Sequence, residues 1–283
     1  MTTLIAGAIA IVFVFPIVLT LTNSFMSENE IARNYAVISG EERSGISEGG
    51  AGFLELRFIP DEVVFKQYFA VLVRYTKYLS MFWNSVIIVV PVIVGQIIVA
   101  SMAAYAFSRI KFKGRDKIFL VYIVTMLMPF QVTLVPNYII ADMLGLIGSF
   151  LSIIFPGIFN TFGVFLLRQF MVYIPGEYND AVAVDGGTHL DAFLRAILPM
   201  SRTGLAALAI LVFIDNWNMV EQPLIFLQDM NMQPLSIYLS VINSSQRGIS
   251  FAASTIYMLP MLLVFLYGES YFVEGIQLSG IKG

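Results

Sequence analysis

With 283 residues, 58% of them hydrophobic and only 12% charged, this chain is far too apolar to be an ordinary water-soluble domain. The formal net charge of -3 decides little, because in such a chain the placement of charges carries more than their sum. Cysteine is absent, His189 is the single histidine, and no G-x-x-x-x-G-K-[ST] run occurs, which excludes a disulfide framework, thiolate chemistry, a metal-ligand spacing and a nucleotide-binding loop.

The N-terminal stretch, residues 1–27, contains no Asp, Glu, Lys or Arg and exceeds the roughly 20 residues a helix needs to cross a bilayer. A cleaved signal peptide is the alternative reading. No basic leading segment precedes the apolar run and no clean small-residue cleavage site follows it, so a membrane anchor is expected. Residues 28–77 are polar. Up to Gly52 they are rich in Gly, Ser and Glu, with Gly49-Gly50 and then Gly52, as in a flexible linker. From Phe53 onward aromatics mix with charges, and residues 65–75 read as an interfacial helix leading into a second span. The segment is either a solvated spacer with that lead-in or a small cap.

Residues 78–108 form the second charge-free run and contain Pro91, Gly95 and Gln96. Arg109, Lys111, Lys113, Arg115 and Lys117 crowd the link that follows. A third run covers 118–141, with Pro129 and Gln131 inside it, and a fourth covers 143–167, with Pro156-Gly157. A fifth, 203–227, is interrupted only by Asp215 and Glu221, and a sixth covers 248–268 with Pro260. The expectation is an all-α integral membrane protein of six spans: a first helix at 1–27, an external segment at 28–77, and a core of five helices over 78–283. Basic residues cluster between spans two and three and around 168–202, at Arg168, Arg195 and Arg202, whereas the link between spans three and four has none. The positive-inside rule then puts both of these basic links, and both chain termini, in the cytoplasm. The segment 28–77 is external, and a loop so long translocates largely regardless of its six basic residues.

Between the fourth and fifth runs lies a polar island, Ile174-Pro-Gly-Glu-Tyr-Asn-Asp-Ala-Val-Ala-Val-Asp-Gly-Gly-Thr-His-Leu-Asp-Ala-Phe-Leu-Arg-Ala-Ile-Leu-Pro199. Pro175 sets a turn, Asp180 to Asp185 read as a short helix, and Gly186-Gly187 permits a sharp break. Thr188 is placed to cap a second helix running to Ile197, which Pro199 ends. Helix, Gly corner and helix make a rigid knob at the membrane surface, suited to a socket on another protein. Asp180 near a helix start is favoured by the dipole. A generic loop has no reason to combine these features, and His189 reads as a surface residue of the knob.

Polar residues inside spans are costly unless paired or wetted. The densest group is Asp215-Asn216-Trp217-Asn218 with Glu221-Gln222. On a continuous helix Asp215, Asn218 and Gln222 share a face, which reads either as a wet stripe with Trp217 as an aromatic plate beside it, or as hydrogen bonds knitting neighbouring helices. Gln96 and Gln131 are candidates for the same wall, again with helix–helix bonding as the other reading. The several prolines and glycines within spans fit a bundle that moves.

The island resembles the EAA loop of permease subunits of bacterial ATP-binding-cassette (ABC) importers, commonly written E-A-A-x-x-x-G followed by I-x-L-P. Asp180-Ala181-Val182 stands at E-A-A, Gly186 keeps the spacing and Leu198-Pro199 closes the motif, with Asp180, Val182 and Ala196 as mild departures. Phe82-Trp-Asn-Ser85, Ala103-Ala-Tyr-Ala-Phe-Ser-Arg109, Phe112-Lys-Gly-Arg115, Met128-Pro-Phe-Gln131, Gly163-Val-Phe-Leu-Leu-Arg-Gln-Phe170 and Gly280-Ile-Lys-Gly283 are similar to the sugar-importing, maltose-permease-like branch. That resemblance implies a type I importer permease fold in a bacterial plasma membrane, with a coupling loop at 169–202. It also implies a second permease chain, two ATPase subunits that bind the ATP and Mg, an extracytoplasmic solute-binding protein and a sugar as solute. No cofactor is expected in this chain, and no nucleic acid as partner. Asp180, Ala181, Ala183, Asp185, Gly186, Leu198 and Pro199 would serve ATPase coupling, and the cap reading of 28–77 would have it touch the binding protein. A Trp-Asn pair like Trp217-Asn218 occurs at a similar place in the resembling family. The C-terminal residues 275–283 would reach the ATPase interface as a second contact. The chain itself is then no enzyme. An ion-coupled secondary carrier using Asp215 is the alternative, and it leaves the knob without a purpose.

Overall fold

The computed structural model describes residues 2–35, 57–240 and 247–280, with Ser240 and residues 272–280 described by backbone alone. The expected linker beyond Tyr35 and the terminal residues 281–283 lie outside the described residues. All regular structure among the described residues is helical: α1 (Thr2–Asn23), α2 (Glu28–Asn34), α3 (Lys66–Phe69) continued by a π turn (Ala70–Arg74), α4 (Thr76–Arg109), α5 (Arg115–Met126), α6 (Phe130–Met143), α7 (Leu151–Ile158), α8 (Thr161–Tyr173), α9 (Glu177–Val184), α10 (His189–Ala192) continued by a π turn (Phe193–Ile197) and a last turn (Leu198–Met200), α11 (Arg202–Trp217), α12 (Glu221–Phe226), α13 (Leu235–Ser240) and α14 (Arg247–Gly280).

Four stretches are long and apolar enough to cross a bilayer by themselves: Thr2–Asn23, Thr76–Arg109, Leu151–Tyr173 and Arg247–Tyr271. The third and fifth expected spans are not continuous helices. α5 and α6 meet at 102°, and the run 203–227 is divided between α11 and α12; the α10 stretch, before that run, meets α11 at 73°. The first break has a local cause. Pro129 has no N–H to continue the ladder, it disfavours helical backbone at Met128, and it starts α6 from an extended ψ of 139°. The fourth expected span begins later than the charge-free run at 143–167. α6 ends at Met143, Gly145 and Gly148 turn the chain at positive φ, and the span covers 151–173 with a break where Asn160 caps α8 by accepting from Phe162 N–H (2.9 Å). Arg168 therefore lies within a helix rather than in the loop after it. Pro91 and Pro260 sit inside helices that run on without interruption.

The chain forms two compact units. In the first, Met1–Phe82 with Ile237–Pro260, α1 leaves Leu4, Ile11, Val12 and Phe13 at least 71% exposed, as befits side chains solvated by lipid. Ser27 caps α2, and Phe25 packs on Phe65 and Tyr68. Gln67 donates to Met26 O (2.5 Å), Asp61 N–H to the buried Glu30 carboxylate (2.8 Å), and Tyr78 to Ala253 O (2.9 Å). The expected helix at 65–75 is present. It buries Gln67 and Val71 and leaves Phe65, Phe69 and Val73 outward, an apolar stripe at helical spacing.

The second unit, Trp83–Ser236 with Met261–Gly283, has a core built by α4, α7, α8 and α11, with Ile88, Val92, Ala104, Ile153, Leu167, Met171 and Leu208 all nearly or fully buried. Loop anchors come from polar groups on α4: Asn84 donates to Asn231 O (2.7 Å) and Gln233 O (3.0 Å), and Ser85 accepts from Leu235 N–H (2.9 Å).

Candidate functional site

The polar island folds into a knob. Ile174 leaves α8 in an extended conformation, Pro175 and Gly176 turn the chain, and α9 follows with Glu177 and Asp180 in its first turn, where the dipole favours acids. Asp185 ends the helix and Gly186 sits at φ 78°, the left-handed conformation that a side chain strains to adopt. Thr188 then forms a capping box. Its hydroxyl donates to the Asp191 carboxylate (2.7 Å) while its own N–H does the same (2.9 Å), and Asp191 N–H returns to the Thr188 hydroxyl (3.3 Å). Those two bonds from Thr188, with a smaller contribution from Arg195 at 3.5 Å, hold the Asp191 carboxyl below the ordinary carboxylate range. The second helix does not stop before Pro199. Leu198 N–H bonds five residues back to Phe193 O, so a π turn carries the chain past the missing proline N–H, and the helix ends at Met200.

The knob is tied to the end of α4 by two side chains whose link to it was not expected from sequence. The Tyr105 hydroxyl accepts from Asn179 Nδ2 (3.3 Å) and lies 3.3 Å from His189 Nδ1, so one oxygen bridges both knob helices. Its ring packs on Phe193 at 5.2 Å. The Arg109 guanidinium donates to the carbonyls of Met171 and Ile174, closing the end of α8 where the knob begins. His189 is exposed as expected but is engaged by Tyr105. The residues expected to face a partner lie on the surface: Asp180, Ala181, Ala183, Asp185, Gly186 and Pro199 are exposed and Leu198 is half-buried. Among them Val184, Leu190 and Leu194 are 85%, 61% and 50% exposed, giving the knob an apolar outer face.

The polar group at 215–222 is organised differently from the single stripe expected. α11 ends at Trp217, Asn218 is its C-cap, and α12 begins only at Glu221, so Asp215, Asn218 and Gln222 do not share one helical face. Asp215, Asn218 and Glu221 are exposed, whereas Gln222 is buried and donates to Ser152 O (3.4 Å). Asn216 and Asn218 each donate to the carbonyl four residues back (2.8 Å), folding their amides onto the last turns of α11. Trp217 is 2% exposed and stacks on Phe213 (5.2 Å, 19°), so it is a packing residue here and not an open plate. Gln131 reaches this break from α6 and donates to Glu221 (3.4 Å), a residue quoted with the cluster but not singled out from sequence. Gln96 is elsewhere: it is buried against Gly163, where any Cβ would come within 2.8 Å of its amide nitrogen, and so lies at a close approach of α4 and α8. No group of three or more His, Cys, Asp or Glu suited to a metal ion occurs among the described residues.

No family model matches the chain. Individual proteins do. The osmoprotective-compounds uptake permease of Synechocystis sp. is 34% identical over 211 residues, 71% of this chain and 70% of the relative. The lactose transport system permease of Rhizobium radiobacter is 31% identical over 205 residues, 71% and 75% of the two chains. The arabinooligosaccharides transport system permease of Halalkalibacterium halodurans is 29% identical over 278 residues, 97% and 93%. Among solved structures, a chain of a bacterial ABC transporter involved in the import of the acidic polysaccharide alginate superposes with a TM-score of 0.78 over 96% of this chain and 95% of that one, at 20% identity.

Proposed function

The chain belongs to the permease subunits of ABC transporters, and on that premise we propose that it forms half of the translocation route of a sugar importer and takes its motion from a separate ATPase through the knob at 177–200. As a transport subunit it is not an enzyme. The observation that carries the coupling reading is the knob itself: a self-capped helical pair with an outer face of Ala181, Val184, Leu190 and Leu194, locked by Tyr105 to the end of the long helix α4. A socket closing around that face would push α4 as a lever, because the hydroxyl bridge and the Arg109 carbonyl bonds leave little slack between knob and helix.

In the same reading the bent pair α5–α6 counts as one crossing and α11 as another, with the knob helix before α11 outside the bilayer, giving six spans with both termini in the cytoplasm of a bacterial cell. The complex holds a second permease chain, two ATPase subunits and an extracytoplasmic binding protein. Mono- or oligosaccharides are the favoured solutes, since relatives named for arabinooligosaccharides and lactose match across most of the chain. The exposed polar groups at the broken end of α11, namely Asp215, Asn218 and Glu221 with Gln131, are the part of this chain proposed to line the route. Discontinuous helices are the usual place for such groups in transport proteins. Affinity purification of the tagged chain from native membranes should bring down an ATP-hydrolysing subunit and a second permease. A chain that purifies alone yet still drives ion-dependent uptake in vesicles would be a secondary carrier, and the coupling reading would fall.

A further inference from the structure

The link between α4 and α5 is short, and its charge is concentrated. Lys111, Lys113, Arg115 and Lys117 stand against the single carboxylate of Asp116 within residues 111–117. Those residues line an open hollow of 610 Å³. Asp116 is engaged by Arg115 (3.1 Å), while Lys111, Lys113 and Lys117 are exposed and have no ion-pair partner among the described residues. A further cation lies close by: Arg168, which sits over the Phe119 ring at 3.9 Å and feels the opposed charges of Arg115 and Asp116. So much unneutralised positive charge around one concavity calls for an anion. The fold says where that anion comes from. α4 and α5 leave apolar side chains uncovered next to the loop: Ile98 and Met102 on one, Leu120, Val121 and Val124 on the other, all between 53% and 60% exposed. The loop therefore lies at the depth where acyl chains give way to headgroups, and Phe112, 39% exposed and 6.0 Å from Phe107, adds an apolar contact inside it.

We propose that the hollow at 111–117 binds the phosphate of an anionic phospholipid, its acyl chains running along the uncovered faces of α4 and α5. Each lysine near an anionic surface adds to the attraction. The site is separate from the knob, so it stands or falls without the coupling reading.

The test uses the purified transporter complex in nanodiscs of phosphatidylcholine alone or with one-third phosphatidylglycerol, read by native mass spectrometry and by thermal unfolding. The wild type should retain phosphatidylglycerol through detergent release and unfold at a higher temperature in its presence. The Lys111→Gln/Lys113→Gln/Lys117→Gln variant should lose about ten-fold or more of that retention, and Arg at the same three positions should restore it. Three other results would overturn the proposal. Undiminished lipid retention in the triple Gln variant removes the site. Equal stabilisation by inorganic phosphate in phosphatidylcholine discs makes it a free-anion site. Loss of the ATPase subunit with lipid retention unchanged makes the loop a protein-docking surface.

Discussion

Residues 177–200 and residues 215–222 both interrupt an apolar chain, and they are held in opposite ways. The knob carries its own instructions: Thr188 and Asp191 cap each other, Gly186 supplies a left-handed corner, and Gly176 and Pro175 set the turn before it. Only its attachment, through Tyr105, Arg109 and the core-buried Phe193 and Ile197, is tertiary. The break at 215–222 has little of this local logic. Its helix simply ends at Trp217, and what fixes the segment is contact with distant residues, Gln222 with Ser152 and Gln131 with Glu221. A self-specified element can move as a rigid piece, as a coupling element must, whereas one held by distant helices changes shape when those helices move. That is the division of labour expected between a lever and a route.

Four substitutions probe this contrast. The largest effect is expected from Trp217→Ala, which empties a buried site and should cost about 3–5 kcal/mol of stability, read as a lower thermal midpoint in detergent. Uptake of all solutes should fall together; a changed ranking among sugars with stability intact would instead make Trp217 a stacking plate. Next is Gly186→Val. A β-branched residue at φ 78° costs about 2 kcal/mol or more, enough to disfavour the corner ten-fold or beyond. ATP-driven uptake should be lost at a normal membrane level, and retained solute-stimulated uptake would remove the rigid-corner role.

Tyr105→Phe comes third. It deletes one bridging hydroxyl worth about 1 kcal/mol and should reduce uptake several-fold without affecting insertion. Combining it with Asn179→Ala should add little, because both remove the same bond, and fully additive losses would show the bridge to be idle. The smallest effect belongs to Asn218→Ala. Its amide adds a second bond to Ile214 O, which the Asn218 N–H already reaches, and hydrogen bonds within membranes average about 0.6 kcal/mol, so thermal stability should barely change while uptake falls if the exposed break is wetted by solute. The Asp191 cap adds a pH signature. Its carboxyl is depressed in the folded state, so the cap contributes fully above about pH 4 and is lost as pH falls through the lower folded value. Below that range, amide exchange in α10 should rise toward the level of Thr188→Ala, and equal protection of the two proteins at neutral pH would contradict the cap.

The same contrast explains which features the sequence made legible. Caps, the Gly corner and the apolar runs are written in neighbouring residues, so the knob and most of the spans could be read directly. The π turn that carries the chain past Pro199 leaves no mark in residue order; Pro129 marks the break between α5 and α6, but the 102° angle there depends on what each helix packs against. The wet stripe failed for a related reason: the periodicity of Asp215, Asn218 and Gln222 holds only on a continuous helix, and the stop after Trp217 is marked locally by Asn218 alone, a residue that also fits a polar helix face. Tyr105 and Arg109 lay in a stretch that resembles the family, but a role needs a partner, and theirs are 62 to 84 residues away along the chain.

The most direct test of the account is a single cysteine at Val184, the most exposed apolar residue of the knob, in this naturally cysteine-free chain. In the assembled transporter it should cross-link to the ATPase subunit in high yield, the cross-link should stop ATP-driven uptake, and adding Gly186→Val should abolish it. An intact transporter whose Val184→Cys reacts only with water-soluble reagents, while uptake continues at the wild-type rate after modification by a bulky maleimide, would show that the knob is not where the ATPase takes hold.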